Sequence, residues 1–292
     1  MNCIEQVVTD RYAAYHGDCV EVLKGLPDQS IGYSIFSPPF ASLYTYSNSP
    51  RDMGNVRTDA EFFEHLDFLV AELRRVMKPG RDVSFHCMLL PASKERDGYI
   101  GLKDFRGELI RAFQKHGFIH HSEAVIWKDP VTAMQRTKAL GLLHKSVREN
   151  AAMCRQGIPD YLVTMRAPGD SERVTHDGRE YPVDLWQKVA SPVWMDINPS
   201  DTLQYTSARE HDDERHICPL QLEVIRRGIM LWSNPDDIVL SPFMGIGSEG
   251  HVALELGRRF VGAELKASYY RQAVANLENA TKMQDGLFGE AS

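Results

Sequence analysis

Residues 236–250 read Asp-Asp-Ile-Val-Leu-Ser-Pro-Phe-Met-Gly-Ile-Gly-Ser-Glu-Gly. A short apolar run, Ile238–Leu240, enters a turn carrying Gly245 and Gly247, and a helical pattern begins at Ser248. Strand, glycine turn and helix in that order are parts of a parallel α/β sheet, where backbone N–H groups at a helix N-terminus face an anionic ligand group. Gly245, Gly247 and Gly250 fit G-x-G-x-x-G. Glu264 follows the first glycine by about 20 residues, at the end of the next apolar run, Phe260–Ala263, where an acid can accept ribose hydroxyls. Alone, this spacing suits a nicotinamide dinucleotide as well as another nucleoside-containing cofactor. A P-loop is excluded, because no Gly-Lys-Ser/Thr follows.

Position along the chain narrows the choice. Fewer than thirty residues follow Glu264, room for one helix at Ser268–Met283. The remaining strands must come from the N-terminal side, so the sheet is circularly permuted relative to a dinucleotide domain. Further strands are expected at Tyr12–His16, Ile31–Phe36, Asp82–His86, Phe118–Trp127 and Tyr161–Arg166, with helices at Glu61–Met77, Lys103–Lys115, Pro219–Trp232 and Ser248–Leu256. Alternating strands and helices predict a largely parallel sheet with helices on both faces. Residues 41–59, 130–157 and 167–215 fit this pattern poorly. Connections that long in a compact domain usually carry function or are disordered.

A second turn matters as much. Gly17-Asp18-Cys19 and Leu26-Pro27 precede the run Ile31–Phe36, which ends in Ser37-Pro38-Pro39-Phe40. Consecutive prolines remove two backbone donors and leave their carbonyls as acceptors. Acceptors held rigidly at a strand's C-terminal end suit an exocyclic NH2 group: the Ser37 hydroxyl oxygen and the Pro38 carbonyl can each take one amino hydrogen. Phe40 offers a flat face for a base. Standing alone, the same four residues read more readily as a plain strand-terminating loop, since prolines often follow strands.

Bulk properties set outer limits. The chain has 292 residues, 43% of them hydrophobic and 25% charged, with formal net charge −7; that is an ordinary globular composition. No apolar run approaches the roughly 20 residues that span a bilayer, and the stretch Met-Asn-Cys-Ile-Glu-Gln at residues 1–6 lacks the basic region and apolar core expected of a signal peptide. Cys3, Cys19, Cys87, Cys154 and Cys218 are scattered without a CxxC pair, so a cytoplasmic location is expected. The acidic balance excludes a chromatin packer but leaves room for a local basic face. One exists: Lys128, Arg136, Lys138, Lys145, Arg148 and Arg155 fall between Trp127 and Pro159. Charge alone also allows a plain solvated helix face. No metal site is expected; His120-His121 lies in a strand, and His211 and His216 lack partners at zinc spacing.

Gly17-Asp18, Leu26-Pro27 and Ser-Pro-Pro-Phe early, with strand, Phe-x-Gly-x-Gly, helix, strand and Glu264 late, resemble the β-group DNA amino-methyltransferases. The likeness covers Gly17–Phe40, Trp127-Lys128, His216–Arg227 and Asp237–Leu277. It implies a circularly permuted Rossmann-like class I methyltransferase sheet with a target-recognition insertion, forming one domain over residues 1–292. Residues 41–59 and 130–157 would read DNA, 167–215 would form an irregular lobe, and 216–283 would hold S-adenosylmethionine. Phe243, Gly245, Gly247 and Ser248 would form the cofactor loop, Glu264 would take the ribose, and Asp18 the adenine amino group. Cys19, Cys218, Pro219, Leu220 and Tyr269 would line the cofactor pocket. Ser241 departs from the family, which usually has Asp there, so rearranged cofactor contacts are expected.

The resemblance further implies that Ser37, Pro38, Pro39 and Phe40 direct methyl transfer to an exocyclic amino group of a base flipped out of double-stranded DNA. Arg136, Lys138, Lys145 and Arg148 are the candidates for phosphate and base-edge contacts. The layout is similar to that of solitary, prophage-type adenine enzymes, which favours N6 of adenine; N4 of cytosine is the alternative. A homodimer is implied by the resemblance alone. Two other readings remain: an NAD-dependent oxidoreductase and a silent DNA-binding module.

Overall fold

In the computed structural model, which describes residues 2–39, 58–131, 144–150, 157–176, 181–204 and 219–288, one nine-stranded sheet organises the chain. Its strands are β1 (Glu5–Val8), β2 (Tyr12–His16), β3 (Ile31–Phe36), β4 (Met77–Met88), β7 (Ile119–Ile126), β8 (Asp160–Arg166), β9 (Val193–Trp194), β10 (Ile238–Ser241) and β11 (Arg259–Glu264), with β5 (Leu90–Ala92) and β6 (Gly101–Lys103) forming a separate hairpin. The order across the sheet is β1-β2-β11-β10-β3-β4-β8-β7-β9. From β2 to β4 every neighbour is parallel. β8 runs antiparallel to both β4 and β7, and β1 antiparallel to β2.

The helices are α1 (Cys19–Lys24), α2 (Asp59–Val76), α3 (Lys94–Asp97), α4 (Phe105–Lys115), α5 (His144–Glu149), α6 (Val183–Val189), α7 (Leu222–Trp232), α8 (Ser248–Glu255) and α9 (Ala267–Phe288). They cover the sheet on both faces because two apolar stripes demand it. One core joins Val22, Leu23, Phe62, Leu66, Val70, Leu73, Phe105, Leu109 and Phe113, from α1, α2 and α4. The other joins Val224, Ile225, Ile229, Val252, Ala253, Tyr270, Ala273 and Leu277, from α7, α8 and α9. In α2 the buried Phe62, Leu66, Leu69, Val70, Leu73 and Val76 recur at helical spacing, and the Thr58 side chain caps the helix by accepting the Glu61 N–H. All six residues of β3 are buried, as a central parallel strand covered on both faces requires.

The two chain ends build one half of the sheet together: β10 and β11 from the C-terminal part lie beside β2 from the N-terminal part. This is the circular permutation expected from the position of the glycine turn. Strand order reverses between β10 and β3. The chain leaves β10 towards β11 on one side and leaves β3 towards β4 on the other. In open α/β sheets the crevice at the carboxyl ends of such a strand pair is where ligands bind.

The described residues of the segment expected to be an irregular lobe, 167–176 and 181–204, include regular elements. Residues 183–189 form α6, and Val193–Trp194 pairs parallel with β7, extending the main sheet. Trp194 is buried and carries Arg227 over its ring at 5.1 Å. Among the described residues no helix is long and apolar enough to cross a membrane.

Candidate active site

Both singled-out turns open into the crevice at the β10/β3 switch point. Ser37, Pro38 and Pro39 follow β3 directly, and 242–247 follow β10. The strands are tied by the Ser34 hydroxyl, which donates to the Leu240 carbonyl at 2.9 Å. Their exits are tied by rings: Phe36 and Phe243 lie 5.7 Å apart at 56°. The Ser37–Pro39 turn and the glycine turn are therefore neighbours, although more than 200 residues separate them.

In the glycine turn Gly245 has φ +53° and Gly247 has φ +87°, the left-handed region that favours glycine. Gly247 caps α8. Open space lies where a Cβ on Gly245 would project, whereas a Cβ on Gly247 would meet the Ala273 Cα at 3.2 Å. Glu264, at the end of β11, accepts the Gly245 N–H through Oε2 at 2.9 Å and the Lys266 N–H through Oε1 at 2.8 Å. An ionised carboxylate has about four acceptor positions, so these bonds orient it without exhausting it. Tyr269 is buried against Ile246, and the Lys266 ammonium sits 4.4 Å from its ring centre.

The crevice also holds polar groups that the protein does not satisfy. Among the described residues, the buried hydroxyls of Ser241, Ser248 and Ser268 have no hydrogen-bond partner. Buried polar atoms are rarely left so without a ligand or water to meet them. Together with the open space over Gly245, they fit a polar nucleoside-bearing ligand. Glu249, the second residue of α8, is buried as well; burial, reinforced by the Glu264 charge, pushes its carboxyl up to about 8.

Other expected residues are placed as follows. Asp18 caps α1, its Oδ1 accepting the Glu21 N–H at 3.1 Å. Cys19 is buried at the start of that helix, and burial pushes its thiol well up, so it is no thiolate nucleophile. Leu220 is buried and Pro219 half-buried ahead of α7. Lys145 and Arg148 are exposed on α5. Phe40, Arg136, Lys138 and Cys218 lie outside the described residues, as do 41–57. Among the described residues no group of three or more His, Cys, Asp or Glu side chains could hold a metal ion.

A run of contacts leads away from Ser37 through His86 and Asp160, which the sequence did not single out, to Lys128, which it gave only as part of the basic segment. His86 Nδ1 lies 3.1 Å from the Ser37 Oγ, and His86 Nε2 lies 3.0 Å from the Asp160 carboxylate. Lys128 Nζ reaches the same Asp160 oxygen at 2.5 Å. The available signal was position: His86 ends one predicted strand and Lys128 directly follows another, and polar residues at the carboxyl ends of parallel strands are where α/β sites lie.

Residues 33–275 match the N6/N4 methylase family, described as DNA methylase. The chain belongs to that family, the S-adenosylmethionine-dependent DNA amino-methyltransferases acting on adenine N6 or cytosine N4. It is 25% identical over 275 residues to the DNA adenine methyltransferase YhdJ of Escherichia coli K12, covering 91% of this chain and 82% of that one. It is 25% identical over 260 residues to the type II methyltransferase M.BglII of Bacillus subtilis, covering 87% of this chain and 66% of that one. The fold is shared with TTHA0409 of Thermus thermophilus in complex with S-adenosyl-L-methionine, at TM-score 0.67, 22% identity and coverage of 94% and 96%. The cytosine-N4-specific PvuII DNA methyltransferase gives TM-score 0.67 at 17% identity, covering 97% of this chain and 95% of that one. The fold is thus the class I methyltransferase sheet.

Proposed function

We propose that this enzyme methylates N6 of adenine in double-stranded DNA, with the base flipped into the crevice between β3 and β10. The observation that carries the site is the Phe36–Phe243 contact, which sets the Ser37 turn beside the glycine turn. S-adenosylmethionine supplies an electrophilic sulfonium methyl. Gly245, Gly247, Ser248 and Glu264 would hold it, and the Ser241 hydroxyl, without a hydrogen-bond partner among the described residues, stands where the family resemblance implies an Asp.

The chain's part in catalysis is placement. An exocyclic amino nitrogen is a weak nucleophile because its lone pair is delocalised into the ring. The Ser37 hydroxyl oxygen and the Pro38 carbonyl accept its two hydrogens, draw it towards tetrahedral geometry and aim its lone pair across the crevice. Flipping the base costs a few kcal/mol, offset by stacking on Phe40 and by phosphate contacts from the basic segment 130–157, including Lys145 and Arg148.

Adenine is favoured over cytosine by the match to the adenine enzyme YhdJ over most of both chains, whereas the likeness to the cytosine-N4 enzyme is one of fold. Nucleoside analysis of DNA methylated in vitro tests this. N6-methyladenine is expected, and N4-methylcytosine in its place would reverse the assignment. A homodimer is proposed on family resemblance, and sedimentation equilibrium tests it.

A further inference from the structure

Ser37 is held at one end of a chain of three side chains from three different places in the fold. Its Oγ contacts His86 Nδ1 from β4 at 3.1 Å. His86 Nε2 contacts Asp160 Oδ2 from the start of β8 at 3.0 Å. Lys128 Nζ, just past β7, contacts that oxygen at 2.5 Å. His86 and Asp160 are buried, so these contacts are shielded from competing water.

The donors and acceptors can be assigned along the chain. Burial alone would raise the Asp160 carboxyl, but His86 and Lys128 outweigh it and hold the group below its ordinary value. An ionised carboxylate only accepts, so the tautomer that suits this ion-pair contact has its proton on the facing Nε2. In the neutral imidazole Nδ1 is then bare, and the nitrogen opposite Ser37 is an acceptor. In that neutral tautomer the Ser37 hydroxyl donates to it. Its hydrogen is committed away from the substrate, and its lone pairs remain to accept.

That commitment matters for the reaction. A freely rotating hydroxyl could donate to the target nitrogen, and a lone pair that accepts a hydrogen bond is withdrawn from attack on the methyl group. We infer that His86, oriented by Asp160 and Lys128, is a positioning residue that locks the Ser37 hydroxyl as an acceptor for the amino group of the target base. This inference rests on the proposed role of Ser37 as the amino-group acceptor.

Two isosteric variants separate this role from simple packing. In His86→Asn the amide oxygen occupies the Nδ1 position and can still accept from Ser37, while the link to Asp160 is lost. In His86→Gln the amide reaches the Nε2 position and keeps the link to Asp160, while the acceptor for Ser37 is lost. Single-turnover methylation is expected to keep His86→Asn within about tenfold of wild type, one hydrogen bond's worth. His86→Gln is expected to lose about 100-fold in kcat, the scale of misplacing a catalytic group, with unchanged affinity for S-adenosylmethionine. Activity of His86→Gln equal to or above that of His86→Asn overturns the inference.

If the His86 variants fail to fold, Asp160→Asn serves instead. Its amide can donate to Nε2 and so reverse the tautomer, and it should lose kcat by a similar factor with little change in KM for DNA. Full kcat in Asp160→Asn also overturns the inference. Ser37→Ala separates the two levels. An active Ser37→Ala removes the amino-clamp reading itself, whereas an inactive Ser37→Ala with fully active His86→Gln removes only the part given to His86.

Discussion

Glu264 accepts the Gly245 N–H at 2.9 Å, so the acid ending β11 and the glycine following β10 are locked together. Its other oxygen takes the Lys266 N–H at 2.8 Å. Glu264→Gln would turn an amide NH2 towards one of these backbone donors. Charged hydrogen bonds contribute roughly 1.5–3 kcal/mol, so S-adenosylmethionine binding should weaken by about one to two powers of ten. Calorimetric titration checks this; an unchanged affinity would remove Glu264 from the cofactor site.

Gly245 and Gly247 share a left-handed backbone but not an environment. Alanine at either costs about 1–2 kcal/mol for the conformation. Gly247→Ala additionally presses its Cβ against Ala273 and should lower the melting temperature by the larger amount. Gly245→Ala meets open space in the crevice proposed for the cofactor and should melt closer to wild type while binding S-adenosylmethionine poorly. Melting curves with and without cofactor distinguish the two, and equal behaviour would sink the distinction.

Strands buried on both faces were the most legible part of the fold. Tyr12–His16 and Ile31–Phe36 occur at the bounds their apolar runs indicate. β1 was not legible, because Glu5–Val8 is mostly exposed and carries no alternation. Nor was β9, two residues long on the sheet edge. The two turns were legible as chemistry because glycine and proline constrain backbone wherever they stand. The partners of Ser37 were not. Asp160 pairs across from Met88, so it sits diagonally from His86 on the same face of the β4/β8 ladder. That diagonal exists only once β8 is known to run antiparallel at that register, and no local pattern around either residue encodes it.

At the opposite end of the sheet from the crevice, Arg81 is buried and hydrogen-bonded to Asp237, and its Nε donates to the Gly32 carbonyl at 3.0 Å. Asp237 also accepts the Asn234 N–H at 2.7 Å. This pair fastens β4 to the entry of β10 across β3. Removing one member of a buried pair costs about 3–5 kcal/mol where the charge left behind is uncompensated; Lys78, 3.7 Å from the other Asp237 oxygen, offsets part of that here. Arg81→Met should show that loss in urea unfolding. Gly32→Ala should also destabilise, because its Cβ would overlap the Asp237 carboxylate. A loss below about 1 kcal/mol in Arg81→Met would mean the pair contributes little.

Glu249 gives the protein a pH dependence with a definite sign. Burial, with the Glu264 charge nearby, raises its carboxyl from 4.5 to about 8 in the folded chain. Between those values the folded state keeps a proton that the unfolded state has released, so stability falls as pH rises across that window and levels off above it. Each tenfold change in proton affinity corresponds to about 1.4 kcal/mol, so the effect is several kcal/mol. Glu249→Gln preserves shape and cannot ionise. The variant should match wild type near pH 4.5 and exceed it increasingly up to about pH 8. Denaturant unfolding of the cofactor-free protein at pH 5, 6.5 and 8 measures the gap, and a gap that stays constant or narrows with rising pH would mean that Glu249 ionises at its ordinary value.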